Sequence, residues 1–212
     1  MKKFALALTA AATLFVPTLS QAESDIVSGA GNASAKLDFR VTIPRVLYLR
    51  VGAGSLADDA TVNLIDFTVP AGAVGNGAPV AATVASGDLG NGAVTVRLFG
   101  NNGDISLNSA TTGPMTNGVA TETLPWSQIT VTPNILAATT PGYTNSALTH
   151  PAFNNGAAGG AGTATVLTAA NKVIRQEARW TYAYANANVL AAGTYGGVNA
   201  NAGRVTYTAT MP

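Results

Sequence analysis

The sequence predicts an all-β chain, an antiparallel Ig-like β-sandwich of Greek-key type, with a β-barrel as the second choice. Three observations carry this. One segment alternates apolar and polar residues with the period of two that belongs to a strand. Five Asn-Gly pairs, at residues 76–77, 91–92, 102–103, 117–118 and 155–156, supply the positive φ angles of tight turns. Finally, roughly nine or ten short runs rich in Val, Thr, Ile and aromatics follow one another at intervals near those of sandwiches, without helices between them.

The clearest alternation comes first. Ala35, Leu37, Phe39, Val41 and Ile43 alternate with Lys36, Asp38, Arg40 and Thr42, so an extended backbone sends the apolar set to one face. Pro44 punctuates the run, and residues 46–51 form a second extended stretch ending at Gly52-Ala53-Gly54-Ser55. Further strands are expected at 61–69, 79–85, 93–99, 104–107, 126–132, 163–168, 179–184 and 204–211, most of them bounded by Gly, Asn, Pro or Asp. The single helix candidate is 167–177, where Ala169, Ala170, Val173, Ile174 and Ala178 could share a face. The Gly/Ala/Asn-rich stretch 154–162 reads as a loop within the domain.

Before this pattern stands a secretory signal. Lys2 and Lys3 precede an apolar run from Phe4 to Val16, and Ser20-Gln21-Ala22 places small residues where a signal peptidase cuts. The run is shorter than the ~20 residues a membrane span needs, and Pro17 interrupts it. The expected organisation is therefore a signal peptide at 1–22, a polar leader at 23–34 and one sandwich domain at 35–212, in a protein exported to the periplasm, the cell surface or beyond. Removing the signal leaves nine basic residues against ten acidic ones, so the apparent net charge of +1 belongs to the signal. Scattered, nearly balanced charge gives no footprint for nucleic acid and no polybasic patch for a membrane.

Composition narrows the chemistry. The chain has no Cys, which removes disulfide frameworks, thiolate metal sites and cysteine nucleophiles, and its single His leaves little for histidine-based acid–base catalysis. His150 lies in Thr149-His150-Pro151 with no nucleophile motif beside it, and reads as a loop histidine. The acidic residues fall mostly in turns or at polar strand positions. Asn101-Asn102-Gly103-Asp104 carries oxygen ligands but not the later Glu of an EF-hand loop, and reads as a hairpin turn. No enzyme, cofactor or metal is expected. Trp126, Trp180, Tyr182 and Tyr184 remain as an aromatic set, with the last three on one face of a strand. They are either a sugar-stacking platform or, as alternating aromatics usually are, sandwich core.

The two ends say most about function. A polar leader precedes the alternating strand at 35–43, and Gly193-Thr194-Tyr195 leads to a last alternating strand at 204–211. Strands with one apolar face must pair with something, because an uncovered edge templates association. This organisation resembles the subunits of chaperone–usher pili, most nearly the alternate, disulfide-free class of major pilins. The resemblance rests on Leu37, Phe39, Val41 and Ile43, then Pro44, then residues 46–51, and finally Gly193-Thr194-Tyr195 with Val205 to Met211. It implies a fold that lacks one strand, borrowed from a periplasmic chaperone and then replaced by a neighbouring subunit's N-terminal strand, with Leu37, Phe39, Val41 and Ile43 filling the groove. The expected partners are thus other copies of the chain or a chaperone, with a glycan or protein receptor for an adhesive role. The alternative is a self-contained secreted sandwich that binds carbohydrate or protein.

Overall fold

The computed structural model describes residues 24–55, 61–119 and 121–212. The expected signal peptide lies outside the described residues. The chain divides between Ile43 and Pro44 into an N-terminal unit and a compact unit, Pro44–Pro212.

Among the described residues the compact unit has twelve strands, all paired antiparallel except one short strand. In chain order these are β1 (Leu47–Val51), β2 (Val80–Ala81), β3 (Ala93–Gly100), β4 (Ile105–Thr111), β5 (Met115–Thr116), β6 (Thr123–Leu124), β7 (Ile129–Asn134), β8 (Thr144–Asn145), β9 (Gly160–Ala161), β10 (Thr165–Leu167), β11 (Ile174–Tyr184) and β12 (Thr206–Thr210). In the first sheet β3 lies between β1 and the long β11, whose other flank carries β7 and, in parallel, the short β8. β2 continues the β3 flank at Ala183 and Tyr184. In the second sheet β4 is central, with β12 on one side and β10 and β9 on the other. A β5–β6 hairpin stands apart. Both main sheets end in open edges, and no closed barrel forms among the described residues.

The two sheets share one core, as the period of two requires. β4 alternates strictly, with Ile105, Leu107, Ser109 and Thr111 buried and Ser106, Asn108 and Ala110 half-buried. Val94, Val96 and Leu98 of β3 and Ala178, Trp180 and Tyr182 of β11 meet Ile105 and Leu107 of β4, Leu167 of β10 and Met211. A second cluster gathers Met115, Leu124, Trp126 and Tyr184. Each buried indole N–H finds a carbonyl, Trp180 donating to Leu148 at 2.7 Å and Trp126 to Gly113 at 2.8 Å.

Turn chemistry sets the register at two sites. Asn91 and Gly92 both take positive φ, 52° and 73°, between the bridge partners Gly90 and Ala93, as a type I′ turn demands. A Cβ on Gly92 would lie 2.7 Å from that of Ala82. The same geometry overturns the expected helix at 167–177. Asn171 and Lys172 take φ of 52° and 64° between the bridge partners Ala170 and Val173, and the chain then enters β11. The helical spacing of Ala169, Ala170, Val173 and Ile174 comes from a strand end, a turn and a strand start.

Other expected strands are shorter or unpaired. Of 79–85 only Val80–Ala81 pairs, and 163–168 contracts to Thr165–Leu167. Trp126–Gln128 forms a 3-10 turn after Pro125 before β7 begins at Ile129. Residues 61–69 belong to no strand, although Asn63, Ile65, Phe67 and Val69 alternate with more exposed neighbours. The segment 35–43 likewise belongs to no strand.

Candidate assembly surface

In the N-terminal unit the alternating side chains have nothing over them. Leu37 is 75% exposed, Phe39 86%, Val41 84% and Ile43 77%, which no folded strand of a single chain would tolerate on its apolar face. At about 3.3 Å per residue, an extended strand carries these four side chains along roughly 20 Å of one face. Its period is that of a strand, yet it pairs with no strand among the described residues.

The compact unit presents the complementary defect. β12 pairs with β4 along one edge only, from Thr206 opposite Ala110 to Thr210 opposite Ser106. β1 is the outermost strand of the other sheet, and the two strands are neighbours across the sandwich. On this side the core is incompletely covered: Leu49 and Val51 of β1 and Tyr207 and Ala209 of β12 pack against it yet stay half-buried. No described strand pairs with the outer edge of β12, so an added strand could pair with its backbone N–H and C=O groups there.

The corner where β1 begins and β12 ends is pinned by side chains. Asn101 Oδ1 accepts the Val46 N–H at 2.8 Å, and its Nδ2 donates to the Pro44 carbonyl at 2.8 Å. Arg45 Nη2 donates to the Met211 carbonyl at 2.7 Å, and Asn102 Nδ2 to Pro212 O at 2.6 Å. Asp104 accepts the Ala169 N–H at 2.8 Å. The side chains of Asn101, Asn102 and Asp104 thus each bond backbone groups. No group of three or more His, Asp or Glu side chains suited to a cation occurs among the described residues.

All four aromatic candidates face inward. Trp126 is 5% exposed, Trp180 0%, Tyr182 7% and Tyr184 7%, so their rings belong to the two core clusters. Tyr207, from β12, joins them, its hydroxyl 2.9 Å from that of Tyr182 and 2.7 Å from Nε2 of His150. His150 sits among Phe153, Trp180, Tyr182 and Tyr207, and burial pushes its pKa down to about 4, against a smaller upward effect of the Pro151 backbone. Burial also raises the phenols of Tyr182 and Tyr207. The histidine thus meets the Tyr207 hydroxyl and packs edge-on against the surrounding aromatic rings.

Sequence reasoning missed two features. The pins at Asn101 and Asn102 read there as turn residues. Glu177, at an outward position of β11, is fully buried, with the segment around Thr140 and Tyr143 lying over the outer face of the sheet beside it. Burial would raise its carboxyl, but the Thr140 amide N–H at 2.6 Å and Arg97 at 2.8 Å hold it below the usual carboxylate range. Tyr143 from the same segment lies under the guanidinium groups of both Arg97 and Arg175.

No helix among the described residues is long and apolar enough to cross a membrane. No protein family matches the chain, and neither a curated protein nor a solved structure matches it.

Proposed function

We propose that this protein is an exported, non-enzymatic structural subunit that assembles by strand addition, residues 35–43 of one copy pairing with the open edge of β12 in the next. The reading is the one its resemblance to fimbrial subunits implies. One observation carries it: four large apolar side chains at strand spacing lie 75–86% exposed in a chain whose second sheet ends in β12, a strand paired on one edge only among the described residues.

The energetics favour such pairing. Burying a large apolar side chain contributes roughly 1.5–3 kcal/mol, so Leu37, Phe39, Val41 and Ile43 together offer roughly 6–12 kcal/mol before the cost of association. Main-chain hydrogen bonds to β12 add affinity that is indifferent to side-chain identity, while the alternate side chains set the register. A chaperone strand on the same edge would keep the subunit soluble until assembly.

Light scattering on residues 23–212 and 44–212 tests the reading. The longer chain should form concentration-dependent oligomers and the shorter one should stay monomeric. Identical monomers would overturn strand donation.

A second reading, a binding module for carbohydrate or protein, has one observation in its favour. An open cleft of about 440 Å³ lies beside β7, lined by Trp126, Ile129, Val131, His150, Phe153 and Asn155 among others. A glycan array that gave no signal would remove the carbohydrate form of this reading.

A further inference from the structure

Leu47 pairs with Gly100, so the continued β1–β3 register sets Val46 opposite Asn101 and Arg45 opposite Asn102. At this point the ladder is carried by a side chain. The Asn101 carboxamide has the donor and acceptor of a peptide group, and it uses both, bonding the Pro44 carbonyl and the Val46 N–H at 2.8 Å each. A carbonyl at one residue and an N–H two residues on face the same side of an extended strand, so this pair of bonds keeps 44–46 extended. Arg45, between them, is tied to the Met211 carbonyl. Ile43 precedes a proline, which disfavours the helical region there and biases it to extended backbone.

This local geometry bears on which edge residues 35–43 can fill. β12 ends, and β1 begins, at the same corner, beside the β3–β4 connection. To lie along β12 of its own chain, the segment would have to reverse direction within residues 43–46 and run against β1. A reversal made at 44–46 would break both Asn101 bonds.

We propose that Asn101 is a positioning residue that prevents the chain from filling its own open edge, so that the strand at 35–43 is committed to a second copy. The proposal rests on the strand-donation reading and names what selects the partner within it. Freed of the two bonds, the chain could turn at 44–46, and self-filling would compete with assembly.

The test compares residues 23–212 with and without Asn101→Ala, using light scattering for assembly and hydrogen exchange for the backbone of 35–43. Two lost hydrogen bonds should raise the monomer fraction at fixed concentration by about tenfold, with 35–43 protected from exchange inside that monomer. If Asn101→Ala does not fold, insertion of two glycines between Pro44 and Arg45 loosens the same exit with Asn101 intact, and should likewise yield a protected monomer. Variants that assemble like the wild type overturn the proposal, as does a wild-type monomer already protected at 35–43. A wild-type chain that stays monomeric and unprotected at every concentration removes the strand-donation reading, and the proposal with it.

Discussion

Arg97 Nη2 lies 2.8 Å from Oε2 of the fully buried Glu177, and the pair ties the two central strands of the first sheet to the segment that crosses its outer face. Thr140 closes the arrangement, its amide on Glu177 and its hydroxyl accepting from Arg97. Arg97→Ala would leave a buried carboxylate without its counter-charge. A loss of about 3 kcal/mol in urea unfolding is expected, against a much smaller loss when both residues are replaced together by Met and Leu. Equal losses in the single and double variants would show that the charge pairing is irrelevant.

The histidine gives a pH dependence of definite sign. His150 titrates at about 4 when folded and near 6.5 when unfolded, so between these values the unfolded chain binds a proton that the folded chain refuses. Stability is full above pH 6.5 and falls as the pH drops towards 4, by up to roughly 3 kcal/mol. Glu177, its carboxyl held low, stabilises above the ordinary carboxylate pKa and loses that contribution as the pH falls through its own lowered value, extending the decline to more acid pH. His150→Gln should flatten the curve between pH 6.5 and 4.5 in urea melts, and an unchanged slope would place the titrating group elsewhere.

Placing the aromatics in the core separates stability from recognition. Trp180→Ala removes the largest side chain with no exposed surface and leaves the Leu148 carbonyl without its donor, so a loss of about 3–5 kcal/mol is expected. Tyr182→Phe removes only the hydroxyl that meets Tyr207 and should cost about 1 kcal/mol. A surface platform would instead tolerate both changes in thermal melts.

The exposed strand predicts the opposite pattern. Phe39 is 86% exposed, so Phe39→Asp should leave the melting of the monomer within about 0.5 kcal/mol of wild type while abolishing oligomers in light scattering. A destabilised monomer would mean that residues 35–43 pair within their own chain.

Much of this was legible in the sequence, and the parts that were not share a cause. β12, the start of β4 and the second half of β11 fall where strands are expected, though β4 runs on to Thr111 and β11 begins at Ile174 inside the expected helix, and Asn91-Gly92 turns as its dipeptide demands. Residues 61–69 and 35–43 also alternate, but periodicity states which side chains share a face and is silent on whether a partner strand exists. Asn171-Lys172 was hidden because Ala and Val on either side of a tight turn mimic helical spacing over a few residues. Glu177 and Asn101 depend on contacts far along the chain, 37 residues to Thr140 and 57 to Pro44, which no local pattern encodes.

Strand donation is tested most directly by supplying the strand. Residues 44–212 mixed with a synthetic peptide of residues 34–44 should melt at higher temperature, with hydrogen exchange slowed along β12 at 206–210, and a peptide carrying Phe39→Asp should do neither. No change in melting with the native peptide, or protection confined to another edge such as β7, would contradict the account.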